Sequence, residues 1–366
     1  MKAGIIGLPA TGKTTLFNAL THGHASTEFG GRRPEANVGV IPVPDARFDH
    51  LVQEYKPKKI TPASIEVIDG AAPIGVELHK DKFGTDFFTG IRAVEALIHI
   101  IRAFESASIP LPDGGLNPLR DVRKVNDELM LADLTLVETR LERIEKGLHN
   151  RKIVAGDPAV MERDLFLRIQ KHLEEEKPLK ELELSKDEFR LIKSFDFLTL
   201  KPMIVIANVG EGQADDSGNE LLAGLREHCA KEGLELVELA AGVEMEIAQL
   251  PEDEQKEYMD ALGIVEPARG KVVHGAYRAL GLISFFTVGE DEVRAWTLDR
   301  GETALDAAGK IHSDLARGFI RAETVAYDDF EKAGSWHAAK EAGHMRLEGK
   351  EYVMHDGDIL MIRFKV

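Results

Sequence analysis

Gly7-Leu-Pro-Ala-Thr-Gly12-Lys13-Thr14 is the stretch that decides the fold. It matches the pattern Gly-x-x-x-x-Gly-Lys-[Ser/Thr] of a P-loop, and it lies between an apolar strand-like run, residues 3–6, and a helical pattern, residues 14–20. Glycines let the backbone curl so that successive N–H groups point at a phosphate, and the helix N-terminus adds its dipole. A glycine-rich turn with a structural lysine is the alternative, but the strand–loop–helix context favours a phosphate site.

Two side chains of this loop are expected to contact the ligand directly. The Lys13 ammonium supplies positive charge to the β- and γ-phosphates, and the Thr14 hydroxyl can ligate Mg²⁺. The residues predicted to bind the phosphates are Ala10, Thr11, Gly12, Lys13, Thr14 and Thr15. The motif therefore predicts a purine nucleotide, ATP or GTP, bound together with Mg²⁺.

The bulk composition is that of a globular protein with more than one domain. A chain of 366 residues with 43% hydrophobic and 30% charged residues suggests two or three domains. No apolar run reaches the length of about 18 residues that a membrane span needs, and the apolar N-terminus lacks the pattern of a signal peptide. Cys229 is the only cysteine, so we expect no intrachain disulfide and a cytoplasmic location.

The formal net charge of −17 argues against broad, sequence-independent binding of nucleic acid, because a protein of that sign repels phosphate. A local basic face is still compatible with it. Residues 140–152 (RLERIEKGLHNRK) are one candidate, and a solvated helix end is the favoured alternative.

Short apolar runs separated by helical patterns recur along the chain. Such runs predict a mostly parallel sheet covered on both faces, as in doubly wound α/β folds. The predicted strands are residues 3–6, 38–43, 65–69, 97–101, 203–207 and 234–239.

A charge-rich helical section, roughly residues 118–193, interrupts this sheet after its fourth strand. Apolar residues repeat along it with spacings of three and four, which places them on one helix face. They are Leu134, Val137, Leu141, Ile144 and Leu148, followed after Gly156-Asp157-Pro158 by Leu165, Ile169 and Leu173. The pattern predicts an antiparallel helical (coiled-coil) hairpin that projects from the nucleotide domain. Two helices packed flat on the sheet are the alternative.

Strand-like runs at residues 282–288, 293–297 and 359–364, set among turns rich in Gly and Asp, predict a small C-terminal β-grasp-type domain. The expected division is a discontinuous nucleotide-binding domain (residues 1–117 and 197–278), a helical hairpin insertion (118–196) and the β-grasp domain (279–366).

Beyond the P-loop, the chain resembles the YchF family, also called Obg-like ATPases, in the GTPase-related branch of P-loop proteins. The segments that carry the resemblance are GIIGLPATGKTTLFN at 4–18, GVIPVPD at 39–45, ANVGE at 207–211, VRAWT at 293–297, AGKIH at 308–312, GFIRA at 318–322, AKEAG at 339–343 and HDGD at 355–358. The resemblance implies a P-loop GTPase-like core, an inserted helical hairpin and a C-terminal TGS domain. It also implies the ribosome or translation machinery as partner.

Base selection is expected to depend on Asn208-Val209-Gly210-Glu211, where ordinary GTPases carry Asn-Lys-x-Asp. The lysine is absent and the acid is one methylene longer, so a bidentate guanine contact is displaced and discrimination weakens. The resemblance implies that adenine is accepted, with the Val209 backbone near the base. It implies that Asn208 and Ala240-Ala241-Gly242 complete the pocket. The alternative is that Glu211 is a surface acid after a strand.

The departures from the family lie in the segments that control hydrolysis. Asp69, which would position Mg²⁺ through water, is kept in Asp69-Gly70-Ala71-Ala72, but the glycine expected at the fourth position is not, and Pro73 follows. Residues 76–82 (VELHKDK) replace a glycine-rich loop.

Two further family positions are changed. Arg33, next to Arg32, falls where the family carries a threonine that reaches Mg²⁺; an arginine can contact a phosphate but cannot ligate a metal. A loop histidine common in the family falls on Leu111. His79 is one candidate for a general base, although an exposed loop histidine is the favoured interpretation. The pair His22 and His24 lacks a further ligand at metal spacing, so no zinc site is predicted.

Two functions follow from these residues. The first is a slow nucleoside triphosphatase that prefers ATP to GTP, with Lys13 and Asp69 as catalytic residues, Thr14 and Asp69 at Mg²⁺, and Arg32 or Arg33 as further sources of charge. The second is a non-hydrolysing, nucleotide-gated binding module whose hairpin and C-terminal domain dock a large partner. A kinase lacks support, because no Arg-rich lid is recognisable. We expect a monomer with no membrane role.

Overall fold

The computed structural model describes residues 1–23, 37–69, 85–112, 114–149, 157–213, 218–264 and 266–365. Within these ranges the strands are β1 (Lys2–Ile6), β2 (Asn37–Pro42), β3 (Lys59–Thr61), β4 (Ser64–Asp69), β5 (Ala96–Ala103), β6 (Met203–Val209), β7 (Glu235–Leu239), β8 (Leu282–Thr287), β9 (Glu292–Asp299), β10 (Phe319–Ala326), β11 (Arg346–Glu348) and β12 (Asp358–Phe364).

The α-helices in the described part of the chain are α1 (Lys13–Thr21), α2 (Ala46–Tyr55), α3 (Thr85–Arg92), α4 (Pro118–His149), α5 (Pro158–Glu174), α6 (Lys186–Ile192), α7 (Glu220–Lys231), α8 (Ala241–Gln249), α9 (Glu252–Leu262), α10 (Ala268–Leu280), α11 (Ala304–Ile311), α12 (Ser313–Arg317), α13 (Tyr327–Ala333) and α14 (Trp336–Glu341). Short 3₁₀ turns occupy Leu179–Glu181, Lys193–Phe195 and Leu198–Leu200. None of the helices that the structure describes is both long and apolar enough to cross a membrane.

The first sheet has the strand order β2-β4-β1-β5-β6-β7. β1 pairs in parallel with β4 and β5, β5 with β6, and β6 with β7. Every residue of β5 is buried, as expected for a central strand covered on both faces. The six predicted strands are present, so the predicted doubly wound, mostly parallel sheet is confirmed.

The long helix α4 has two parts with different surroundings. Its first turns pack on the sheet: Val122 joins a cluster with Ile101 and Val205, and Val125 joins one with Ile6. Farther along, its predicted apolar seam packs against α5 in a cluster that includes Val137, Leu141, Leu165, Phe166, Ile169 and Leu173. The predicted helical hairpin is therefore confirmed. Only the beginning of α4 packs on the sheet, as the alternative expected for both helices.

One buried carboxylate fixes α4 where it leaves the sheet. Asp133 is fully buried and accepts hydrogen bonds from the Arg92 guanidinium (2.8 Å) and from the N–H groups of Leu198 (3.0 Å) and Thr199 (2.9 Å). The Thr199 hydroxyl donates to the same carboxylate. Because Arg92 is the last residue of α3, this cluster holds three parts of the chain together.

Two basic residues of the stretch 140–152 are paired with acids in the part that the structure describes. Arg140 pairs with Glu162 and lies over the Phe195 ring, and Lys146 pairs with Glu142. The solvated-helix interpretation agrees with these contacts; residues 150–152 lie outside the described ranges.

Contacts divide the chain into two compact units, Met1–Gly39 with Glu66–Arg269, and Val40–Ile65 with Gly270–Val366. The second unit thus contains residues 40–65 as well as the C-terminal region. The three-domain division expected from the sequence stays a prediction.

The second unit is built on a mixed sheet with the order β11-β10-β12-β8-β9-β3. β10 is antiparallel to β11 and β12, β8 is antiparallel to β9, and β12–β8 and β9–β3 are parallel. α11 packs on one face, where Ala304, Ala307 and Ala308 join Phe285 and Leu360 in one cluster. The C-terminal sheet domain predicted from the sequence is confirmed. The strands β3, β10 and β11 were not predicted.

Arg47 of α2 attaches residues 40–65 to this sheet. Its guanidinium binds Asp45 (2.8 Å) and Asp356 (2.9 Å) and lies over the Phe286 ring. Asp356 also accepts from the Ser284 N–H. The segments GVIPVPD and HDGD, far apart in sequence, therefore meet at one arginine.

Candidate functional site

The P-loop connects β1 to α1 and needs glycine at two positions. Gly7 has φ 151° and Gly12 has φ 96°, both left-handed values. A Cβ on Gly7 would overlap the Ile100 carbonyl oxygen, and a Cβ on Gly12 would overlap the Asn208 amide nitrogen. Ala10 also has a positive φ of 62°. This backbone gives the loop the curled shape that directs N–H groups towards a phosphate.

The Lys13 ammonium lies against its own loop. It donates to the carbonyl oxygens of Gly7 (3.0 Å) and Leu8 (2.8 Å). The positive charge is thus held at the N-terminus of α1, where the helix dipole also favours an anion.

Thr14 and Asp69 come together from positions 55 residues apart. The Thr14 hydroxyl donates to the Asp69 carboxylate at 2.8 Å, and both side chains are buried. The Asn37 amide also approaches Asp69, at 3.4 Å. A hydroxyl and a carboxylate side by side are the oxygen ligands that Mg²⁺ uses in sites shared with substrate phosphates, so these residues fit that ion. Asn37 was not predicted as a site residue.

Asn208 braces the loop from the neighbouring strand β6. Its amide nitrogen donates to the Thr11 carbonyl (3.0 Å), and its amide oxygen accepts from the Ala241 N–H (2.9 Å), the first residue of α8. The sequence predicted Asn208 in the base pocket. The structure shows that its side chain joins the P-loop to the start of α8.

The predicted base-reading residues lie at the carboxyl end of β6 and the start of α8. Val209 is buried and pairs with Ala103 of β5, while Glu211 is exposed in the turn that follows. Ala240 is the residue before α8 and is buried, and Gly242 in its first turn is exposed. Thr15 is half-buried in the first turn of α1. The structure thus brings the P-loop, Asp69 and the beginning of α8 to one edge of the sheet.

His99 is a buried histidine that the sequence analysis missed. It lies on β5 beside Ile6 of β1, and its Nδ1 atom has no hydrogen-bond partner among the described residues. Burial, and secondarily the charge of Lys13, lowers its pKa from 6.5 to about 3. The imidazole is therefore neutral. A lone histidine within the apolar run 97–101 was the signal that could have found it.

Arg102 shapes the loop after β5. It is buried and donates to the carbonyl oxygens of Phe104 (3.1 Å), Ile109 (3.1 Å) and Pro110 (2.9 Å). Burial lowers its pKa, in part offset by Glu105. Leu111, at the family's histidine position, is exposed on this loop.

Several predicted residues fall outside the described ranges: His24, Arg32, Arg33, Gly70, Ala71, Ala72, Pro73 and His79. His22 is described, and its ring contacts the Ala248 carbonyl (2.7 Å) and the Arg269 guanidinium (2.9 Å). Among the residues that the structure describes, no three His, Cys, Asp or Glu side chains converge on a point that could hold a metal ion.

Comparisons with known proteins cover the whole chain. A family model, YchF-GTPase_C, described as a protein of unknown function (DUF933), matches residues 282–365. The chain is 42% identical over 368 residues to the Bacillus subtilis (strain 168) protein named Ribosome-binding ATPase YchF, with 100% of both chains covered. It is 41% identical over 367 residues to the protein of that name from Escherichia coli O157:H7, covering 100% of this chain and 99% of that protein.

A solved structure is also similar. The Schizosaccharomyces pombe YchF GTPase has a TM-score of 0.85 to this chain at 32% identity, covering 99% of this chain and 97% of that one. The overall fold of the chain thus has a counterpart in a solved structure.

Proposed function

This chain belongs to the YchF family, and we propose that it binds a purine nucleoside triphosphate with Mg²⁺, ATP in preference to GTP, and hydrolyses it slowly to the diphosphate. The observation that carries the proposal is the 2.8 Å contact between Thr14 of the P-loop and Asp69 at the end of β4. A P-loop motif alone gives a phosphate cradle. This contact adds the second group that a Mg²⁺–nucleotide site requires.

Different groups of the site are assigned to the phosphates and to Mg²⁺. The N–H groups of Ala10, Thr11, Gly12, Lys13, Thr14 and Thr15 are assigned to the phosphates. Lys13 turns from the carbonyls of Gly7 and Leu8 to the phosphate oxygens, exchanging two neutral acceptors for charged ones. Thr14 and, through water, Asp69 would hold Mg²⁺, which supplies neutralising charge for the β- and γ-phosphates.

The base is assigned to the edge formed by Val209, Glu211 and residues 240–242. Asn208 acts there as a brace, because both ends of its amide bind backbone groups. Glu211 is exposed and one methylene longer than the aspartate of guanine-specific proteins, which favours acceptance of adenine.

Slow turnover is expected because the segment after Asp69 lacks a residue that ordinary GTPases use in hydrolysis. Lys13 and the P-loop amides can stabilise charge on the transferred group, but Asp69-Gly70-Ala71-Ala72 lacks the glycine that contacts a γ-phosphate in GTPases. His79 is a candidate base, and Arg32 or Arg33 are candidate sources of charge.

We further assign the protein to the ribosome or another RNA–protein complex in the cytoplasm, acting as a monomer. The support is that both bacterial relatives are named ribosome-binding ATPases. The hairpin α4–α5 and the C-terminal sheet are the regions assigned to docking.

The experiment is a stoichiometric mixture of protein and ATP with Mg²⁺, followed by phosphate release. We expect slow release from the natural chain and none above background from Lys13→Ala. Lys146→Ala, which removes an exposed lysine of the hairpin, is the matched control and should leave the rate unchanged. Equal rates for the natural chain and Lys13→Ala would refute hydrolysis at this site.

A non-hydrolysing, nucleotide-gated binding module is the second candidate, favoured by the altered sequence at residues 70–82. It predicts ATP binding without phosphate release, and co-sedimentation with ribosomes that changes with the nucleotide. Co-sedimentation that is the same with ATP, with ADP and without nucleotide would exclude gating.

A further inference from the structure

One oxygen of the Asp69 carboxylate accepts hydrogen bonds from two different segments of the chain. Its Oδ2 atom accepts from the Thr14 hydroxyl at 2.8 Å and from the Asn37 amide nitrogen at 3.4 Å. An ionised carboxylate can only accept hydrogen bonds, so the Asn37 amide must present its N–H₂ group to Asp69. The carboxylate is thus held by the P-loop and by the beginning of β2 together.

The first sheet brings Asn37 to this carboxylate. Asn37 is the first residue of β2, Asp69 is the last residue of β4, and these two strands are neighbours in the sheet. Along β2, Asn37 is partly buried, whereas Val38 and Val40 are exposed. Because successive side chains of a strand point to opposite faces, Asn37 points to the covered face of the sheet.

Close packing against α1 fixes the position of β2. A Cβ on Gly39 would overlap the Thr21 methyl group and would lie 3.2 Å from the Phe17 ring. β2 therefore runs directly against α1, the helix whose first turn carries Thr14. Asn37 lies two residues before this close approach, so a shift of its backbone away from Asp69 would also separate β2 from α1.

The sequence of this chain gives Asp69 a large part in placing Mg²⁺. The threonine that reaches the ion in the family is replaced by Arg33, and a guanidinium cannot ligate a metal. The Thr14 hydroxyl keeps its oxygen lone pairs for a cation while its hydrogen is donated to Asp69. Hydrogen bonds to a metal-binding carboxylate fix its orientation, and their loss typically weakens metal binding by about 10- to 100-fold.

We propose that Asn37 is a positioning residue of the Mg²⁺ site, whose N–H₂ group holds the Asp69 carboxylate in the orientation that binds the ion of the nucleotide complex. Asn37 acts through Asp69 and is not itself a ligand of the metal. The inference deepens the proposed function and rests on it. If the contact only fastened β2 to β4, its loss would lower stability and leave the Mg²⁺ dependence of nucleotide binding unchanged.

The test measures the affinity of the full chain for a non-hydrolysable ATP analogue by calorimetry over a series of free Mg²⁺ concentrations. Asn37→Leu keeps the approximate shape of the side chain without its N–H₂ group. In this variant the free Mg²⁺ concentration that gives half of the rise in affinity should increase about tenfold. Affinity in EDTA should stay within about twofold of the natural chain, because the N–H groups of the P-loop still bind the phosphates.

Two further variants separate the loss of the amide from a packing defect. Asn37→Ser has a small polar side chain that is too short to reach Asp69, and it should raise the required Mg²⁺ concentration by the same factor as Asn37→Leu. Val38→Ala changes the next residue of β2, whose side chain is exposed, and is the matched control. It should change neither the Mg²⁺ dependence nor the affinity in EDTA.

A double-mutant cycle tests whether Asn37 acts through Asp69. Asp69→Asn alone should weaken the Mg²⁺ dependence strongly. Adding Asn37→Leu to Asp69→Asn should change it by less than about twofold, because a residue that acts through another has no separate effect once that partner is altered. A merely structural contact would not produce this loss of additivity in Mg²⁺ affinity.

The proposal is overturned if both Asn37 variants match Val38→Ala, or if the effects of Asn37→Leu and Asp69→Asn on Mg²⁺ affinity are additive. In either case, nucleotide binding by the natural chain that is strengthened by Mg²⁺ leaves the proposed function standing. A natural chain that binds no nucleotide, or whose binding does not respond to Mg²⁺, contradicts the proposed function and this inference with it.

Discussion

Asp69 and Asp133 are two buried carboxylates of the same compact unit, and their neighbours give them different tasks. Asp133 lies in the middle of a helix and accepts from the Arg92 guanidinium and two backbone N–H groups. Asp69 ends a parallel strand and contacts the P-loop hydroxyl of Thr14. Burial alone therefore does not identify a ligand-binding acid. We assign Asp69 to the ligand because it also lies at the carboxyl edge of a parallel sheet, beside a phosphate loop.

The largest expected effect is on stability, at Asp133. Replacing it in Asp133→Ala leaves a guanidinium and two buried N–H groups without their acceptor, so the free energy of unfolding should fall by about 3–5 kcal/mol. Urea denaturation measures this loss of stability. Asp127→Ala, an exposed acid of the same helix, should change stability by less than about 0.5 kcal/mol. A loss at Asp133 no larger than at Asp127 would contradict the structural role.

Asp69→Asn should show the reverse pattern. The amide keeps the size of the side chain but removes the charge that is proposed to hold Mg²⁺, so phosphate release should fall about 100-fold. The free energy of unfolding should change by less than about 1 kcal/mol. Unchanged phosphate release combined with a large loss of stability would place Asp69 in the same class as Asp133.

A third buried titratable group, His99, sharpens the comparison through pH. Its folded pKa of about 3 lies below its ordinary value of 6.5, so between these values the unfolded state binds the proton and the folded state does not. Stability should therefore decrease as pH falls through this window, by at most about 1.4 kcal/mol per pH unit from this group. Denaturation of His99→Gln at several pH values should give a slope that is flatter by that amount. Identical slopes would show that His99 is not a buried neutral group.

The smallest expected effect concerns base selection. Glu211→Asp restores the acid length found in guanine-specific proteins, so the ratio of GTP to ATP affinity should rise on the order of fivefold. Titration of both nucleotides measures it, with Glu227→Asp, an exposed acid of α7, as control. A ratio that does not move would favour the interpretation of Glu211 as a surface acid.

Much of the architecture is local in sequence and could be predicted. The P-loop is one contiguous motif, the strands of the first sheet are apolar runs, and the seam of α4 repeats at helical spacing. In contrast, β3 has only three residues, and its partner β9 lies more than 200 positions away. Arg47 and Asp356 are 309 positions apart. No local pattern encodes such pairings, because they arise from how distant segments pack.

The candidate site divides in the same way. Thr14 and Asp69 were both predicted at the Mg²⁺ site. Thr14 belongs to the P-loop that follows β1, and Asp69 is the last residue of β4 in the same sheet. The brace formed by Asn208 was not predicted, because it depends on the register that places β6 next to the P-loop. His99 was missed because an apolar strand pattern tolerates one polar residue without indicating whether its side chain finds a partner.

The central claim is that the backbone of residues 7–14 and the Lys13 ammonium form a site for nucleotide phosphates. Calorimetric titration with ATP, GTP, ADP and GDP, with and without Mg²⁺, tests it most directly. The account predicts saturable binding of ATP, strengthened by Mg²⁺ and lost in Lys13→Ala. The absence of saturable binding for all four nucleotides, or equal affinity in Lys13→Ala, would contradict it.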